Sequence, residues 1–67
     1  MDYVLNGESH STRAPLTVLE LLQSFELAQR RVAVAINAEV VPKSRFAEVW
    51  IRDGDKVEVI HAVGGGA

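Results

Sequence analysis

The sequence predicts an α+β fold, with one helix packed on a mixed sheet of four to five strands. Three observations carry that expectation. One segment, beginning near Thr17, has helical periodicity. A short alternating segment and a turn precede it, and segments rich in β-branched residues, separated by turn residues, follow it. A lone amphipathic helix buries its apolar stripe most simply against one face of a single sheet.

Residues 1–5 read as the first strand, with Met1, Tyr3 and Leu5 on one face and Asp2 on the other. Asn6-Gly7 follows, and both residues tolerate positive φ, so a two-residue hairpin is expected. The return strand, about 8–13, is polar and reads as a half-solvated edge.

Thr17 and Glu20 have the spacing of a capping box, and Leu16 and Leu21 that of a hydrophobic staple. Val18, Leu21, Leu22 and Phe25 then recur at i, i+3, i+4 and i+7, which predicts a helix over 18–30 with one buried stripe. Glu26 and Arg30 would form an exposed i,i+4 pair on it.

Val32 to Ile36 is the longest apolar run and suits a central strand covered on both sides. Residues 37–39 read as a turn, and Glu39-Val40-Val41 as a short strand ended by Pro42. Phe46, Val49 and Trp50 fit a short helical turn, with Phe46 and Trp50 in the core or at its rim. Asp53-Gly54-Asp55 is a turn lacking the further ligands of a calcium loop. Residues 56–62 form the last strand, with Val57 and Val59 on one face and Lys56, Glu58 and Ile60 on the other. The first and last strands can pair in the middle of the sheet, which is the β-grasp, or ubiquitin-like, arrangement. The expected division is a β-grasp domain over residues 1–63 and a flexible glycine tail over 64–67.

Composition narrows the function. A chain of 67 residues has room for one small core and little space for an enclosed active site. Its net charge of −2 lacks the basic surplus of a nucleic-acid binder. The pairs Arg30 with Arg31 and Lys43 with Arg45 are either solvated surface or a docking patch for an acidic partner. Without cysteine there is no disulfide, and no thiol to carry sulfur or bind zinc. His10 and His61 have no partners at ligand spacing. No basic leader or membrane-length apolar run appears, so the expected location is the cytoplasm.

After Val63 the chain reads Gly64-Gly65-Gly66-Ala67. Successive glycines lose maximal backbone entropy on ordering and bury no side chain. The segment reads either as a frayed end or as an end shaped to thread a narrow slot. Four extended residues span roughly 13–14 Å, at about 3.3–3.6 Å each. That reach would carry a terminal carboxylate into a partner's nucleotide site.

The chain resembles the ThiS sulfur carriers of thiamin biosynthesis over essentially its whole length. The matching pieces are Asn6-Gly7-Glu8, Thr17-Val18-x-Glu20-Leu21-Leu22, Val34-Ala35-Ile36-Asn37 and Val40-Val41-Pro42-Lys43. Trp50, Asp53-Gly54-Asp55-x-Val57-Glu58 and Val63-Gly64-Gly65-Gly66 complete the set. The resemblance implies a β-grasp protein that is not itself an enzyme and binds no cofactor. It implies that a ThiF-type enzyme, using ATP and Mg, adenylates the carboxylate of Gly66, preceded by Gly64 and Gly65. Sulfur drawn from cysteine by a desulfurase would convert it to a thiocarboxylate, donated to thiazole synthase, ThiG. Family members normally end at the glycine pair, so Ala67 is expected to be removed first. Val41, Lys43, Arg45 and Trp50 are the candidate partner-facing residues. The alternatives are a MoaD-like carrier serving molybdopterin, carriers for cysteine synthesis or tRNA thiolation, a non-covalent ubiquitin-like binding module, or a regulatory small-ligand domain.

Overall fold

The computed structural model describes residues 1–61. The expectations placed on Gly64, Gly65, Gly66 and Ala67 therefore lie outside the described residues. The elements are β1 (Asp2–Leu5), β2 (Glu8–Ser11), β3 (Leu16–Thr17), α1 (Val18–Ser24), β4 (Val32–Ile36), β5 (Glu39–Val41), a 3-10 turn (Lys43–Arg45), β6 (Trp50–Ile51) and β7 (Lys56–His61).

Five strands form one mixed sheet in the order β2-β1-β7-β4-β5. β1 and β7 pair in parallel, with Leu5 beside Val57, so the first and last strands do meet in the middle. Every other pairing in that sheet is antiparallel. The polar β2 takes one edge, as its sequence suggests. Asn6 and Gly7 both have positive φ, at 49° and 85°, which is the hairpin geometry their side chains permit.

The helix packs on one face of the sheet. Val18, Leu21 and Leu22 are at most 1% exposed and join Tyr3, Leu5, Val34, Val57, Val59, Phe46 and Ile51 in one core. The capping box forms as expected. The Thr17 hydroxyl accepts from the Glu20 amide at 3.1 Å, and the Glu20 carboxylate accepts from the Thr17 amide at 2.9 Å. That cap contributes about 1 kcal/mol. Leu16 packs against the core that contains Leu21, which is consistent with the staple.

Three expectations need correction. The helix ends at Ser24 and not at 30. Glu26 turns left-handed at φ 59°, its amide donating to the Gln23 carbonyl and that of Leu27 to the Leu22 carbonyl at 2.7 Å. This is a Schellman cap, and Leu27 returns to the core beside it. Glu26 and Arg30 are thus no longer on one helix. Second, β4 is covered on one face only: Val34 is buried but Ala33 is exposed. The alanines gave an apolar run without demanding burial. Third, Leu16–Thr17 pairs with Trp50–Ile51 in a separate two-stranded sheet that periodicity does not announce.

Asp53-Gly54-Asp55 is a turn whose carboxylates are engaged. Asp53 accepts from the Asp2 amide at 2.6 Å, and Asp55 from the Arg52 amide at 2.8 Å and the Asn37 side chain at 3.0 Å. Among the described residues no helix is long and apolar enough to cross a membrane.

Candidate functional site

Two regions of the surface are candidates for a functional site, and they lie toward opposite ends of β7. At its far end, His61 pairs with Val32 and leads into the segment that carries the glycines. Near its beginning lies an open hollow lined by Ile36, Asn37, Val40, Arg45, Trp50 and Arg52, among others. β5, the 3-10 turn and β6 form its walls. Pro42 ends β5 and starts the turn, because its φ of −60° and missing amide fit that position.

The four body residues singled out by sequence divide. Trp50 is 52% exposed at the rim of the hollow, while Phe46, four residues earlier, is in the core. Arg45 lines the same hollow and is held by Glu48, Nε to Oε2, at 3.4 Å. Lys43 is exposed on the 3-10 turn. Val41 is 8% exposed and belongs to the core, which corrects its placement among the partner-facing residues. Its neighbour Val40, 73% exposed, presents the apolar surface instead.

Sequence reasoning also passed over the open face of the sheet. Strand register puts Ala33 opposite Ile60, and Ala35 between Val40 and Glu58. Ile60 is 60% exposed. The two small alanines leave a shallow apolar strip between the larger Val40 and Ile60. The signal was present in the alternation of β7, which sends Ile60 outward together with Lys56 and Glu58.

Among the described residues no group of three or more metal-ligating side chains converges. No buried side-chain polar atom among them lacks a partner. Among the described residues the one clear perturbation is the Tyr3 phenol, which burial pushes up from its ordinary value. Tyr3 stacks on His10, ring centres 5.6 Å apart, and His10 meets the edge of Phe25 at 5.4 Å. This aromatic column supports β1 and β2 and lines neither region described above.

The comparisons with known proteins identify the family. The thiazole synthase of Paramagnetospirillum magneticum is 45% identical over 67 residues, which is 100% of this chain but 21% of that protein. The chain thus spans about a fifth of the length of that relative. The sulfur carrier protein ThiS of Escherichia coli is 32% identical, covering 98% of this chain and all of that one. The crystal structure of the thiamine biosynthesis protein ThiS from Geobacter metallireducens superimposes with a TM-score of 0.85 at 35% identity, covering 98% of this chain and 100% of that one. The model of the ThiS family matches residues 3–66, ending on Gly66. This chain belongs to the ThiS family.

Proposed function

We propose that this chain carries sulfur as a thiocarboxylate on Gly66, for formation of the thiazole ring of thiamin. The carrying observation is the family match, which runs from the first strand through Gly64, Gly65 and Gly66. In this reading the protein is a co-substrate and not an enzyme, and it holds no cofactor. A ThiF-type enzyme supplies the ATP site and Mg.

The chemistry follows from what a carboxylate lacks. It is a poor acyl donor because its leaving group would be oxide. One carboxylate oxygen attacks the α-phosphorus of ATP and pyrophosphate leaves, giving an acyl adenylate. Sulfide then attacks the acyl carbon and AMP leaves, giving the thiocarboxylate. Where a desulfurase delivers a persulfide, the product is an acyl disulfide, which a thiol cleaves to the same end. The sulfur passes to thiazole synthase. That a protein named thiazole synthase contains a stretch similar to this whole chain supports this partner, since fusion keeps donor and acceptor together. Val40, Trp50, Lys43 and Arg45 serve as the partner face in this reading.

Ala67 adds a methyl group where a slot built for glycine expects none, so the reactive carboxylate is that of Gly66 after Ala67 is removed. The test compares the full chain with one ending at Gly66, each given ThiF-type enzyme, ATP and Mg. The shorter chain should gain adenylate readily, and on sulfur transfer about 16 Da by mass spectrometry (oxygen replaced by sulfur, a difference of atomic masses). Equal adenylation of both would remove the trimming step. A chain ending at Gly66 that is never adenylated would remove the carrier reading itself.

A further inference from the structure

If the glycine segment enters a partner's channel, the partner must close around the residues at its root. The Schellman cap decides what stands there. By ending α1 at Ser24 and turning left-handed at Glu26, it sends residues 27–31 back toward the start of β4. The Arg30 amide donates to the Leu27 carbonyl at 3.0 Å, closing that turn. Arg31 then immediately precedes Val32, the residue paired with His61. Arg30, Arg31 and His61 line one open hollow together with Glu26 and Gln29.

Both arginines are exposed. Among the described residues, the one ion pair is Arg45 with Glu48, and neither Arg30 nor Arg31 has a carboxylate within 4.0 Å. Two guanidinium groups are thus gathered at the end of β7, on a chain whose net charge is −2. Both groups share a hollow with His61, the last described residue before the glycine segment in sequence.

The geometry points to a cationic rim, formed by Arg30 and Arg31 beside His61, that docks against carboxylates at the mouth of the channel receiving the glycine segment. This rests on the carrier reading above. A protein surface fits better than a nucleic acid, because the site holds Glu26 as well and the chain is acidic overall. Guanidinium groups pair with carboxylates in planar, two-point fashion, and exposed pairs of this kind act chiefly on encounter and register.

The test uses the chain ending at Gly66 with the ThiF-type enzyme, ATP and Mg, following pyrophosphate release. R30E/R31E should raise KM for the carrier about tenfold or more while kcat stays within about twofold. Raising NaCl from about 50 to about 300 mM should lower kcat/KM of the parent and leave the double variant nearly flat. R30K/R31K should retain most of the salt response and part of the affinity. R13E, on the exposed bend at the opposite end of the sheet, should leave KM unchanged; thermal melts confirm that each variant is folded. An unchanged KM and salt response in folded R30E/R31E would overturn the rim. A parent that is not adenylated at all would instead overturn the carrier reading, and the rim with it.

Discussion

The side-chain amide of Asn6 pairs with both backbone groups of Val59: Oδ1 accepts from the Val59 amide at 2.8 Å and Nδ2 donates to its carbonyl at 3.2 Å. In the parallel ladder between β1 and β7, the Val4 amide donates to Asp55 and the Asn6 amide to Val57, each at 2.9 Å. The hairpin at Asn6-Gly7 then carries the backbone away. The Asn6 side chain stands in for the missing peptide and supplies the next rung. It therefore sets the turn and also anchors β7 two residues before His61.

Asn6→Gly separates these two roles. Glycine keeps the positive φ, so the hairpin survives, but both bonds to Val59 are lost. With net values of about 0.5–1.5 kcal/mol per bond, the expected destabilisation is about 1–3 kcal/mol in urea unfolding. If the variant proves as stable as the parent, the amide is only a turn residue.

Glu26 and Ala38 sit at φ 59° and 68°, in the left-handed region, where a β-carbon is crowded. Unlike Asn6 and Asn37, neither has a short amide suited to that region. Glu26→Gly and Ala38→Gly relieve this crowding but also loosen the unfolded chain. The net expectation is a gain on the order of 0.5–1 kcal/mol each, read as a rise in Tm of a few degrees. A fall in Tm for both would mean the turns carry no strain.

These two positions also explain what the sequence could reveal. The start of α1 was legible because a capping box is local: Thr17 and Glu20 need only each other. Its end was not, because Glu26 adopts a conformation for which its side chain has no preference, imposed by the return of Leu27 to the core. The two-residue pairing of Leu16–Thr17 with Trp50–Ile51 is too short to show alternation. Ala33 and Ala35 read as apolar yet tolerate exposure, which hid the open face. Of the candidate site, the glycines and Trp50 stand out by residue type. The grouping of Arg30 and Arg31 with His61 depends on strand register, which no local pattern encodes.

Tyr3, 3% exposed, carries a pH dependence of known sign. Burial raises its phenol above the ordinary 10.0, so the folded state favours the neutral form. The stabilisation is fully present below the unfolded value of about 10 and is lost as pH rises through the higher folded value. Melting curves should show the parent losing more stability above about pH 10 than Tyr3→Phe, which cannot ionise. Parallel losses in the two proteins would assign the alkaline transition to other groups.

Val40 and Val41 are adjacent, chemically identical and opposite in exposure, at 73% and 8%, so they separate packing from docking within one strand. Val41→Ala deletes two buried methyl groups at about 0.8 kcal/mol each and leaves a small cavity, for an expected loss of about 1.5–2.5 kcal/mol. Val40→Ala removes the same atoms from solvent and should change stability by less than about 0.5 kcal/mol. Trp50→Ala, at a position 52% exposed, should also be mild in the melt. On binding to thiazole synthase, the partner proposed above, the order should reverse. Val40→Ala combined with Trp50→Ala should weaken the complex by about tenfold or more, since an exposed tryptophan beside an apolar neighbour is the usual anchor of an interface. Val41→Ala, measured well below its own Tm, should bind like the parent. If binding instead tracked the loss of stability across all three variants, the effect would come from the fold, and this face would make no contact with the enzyme.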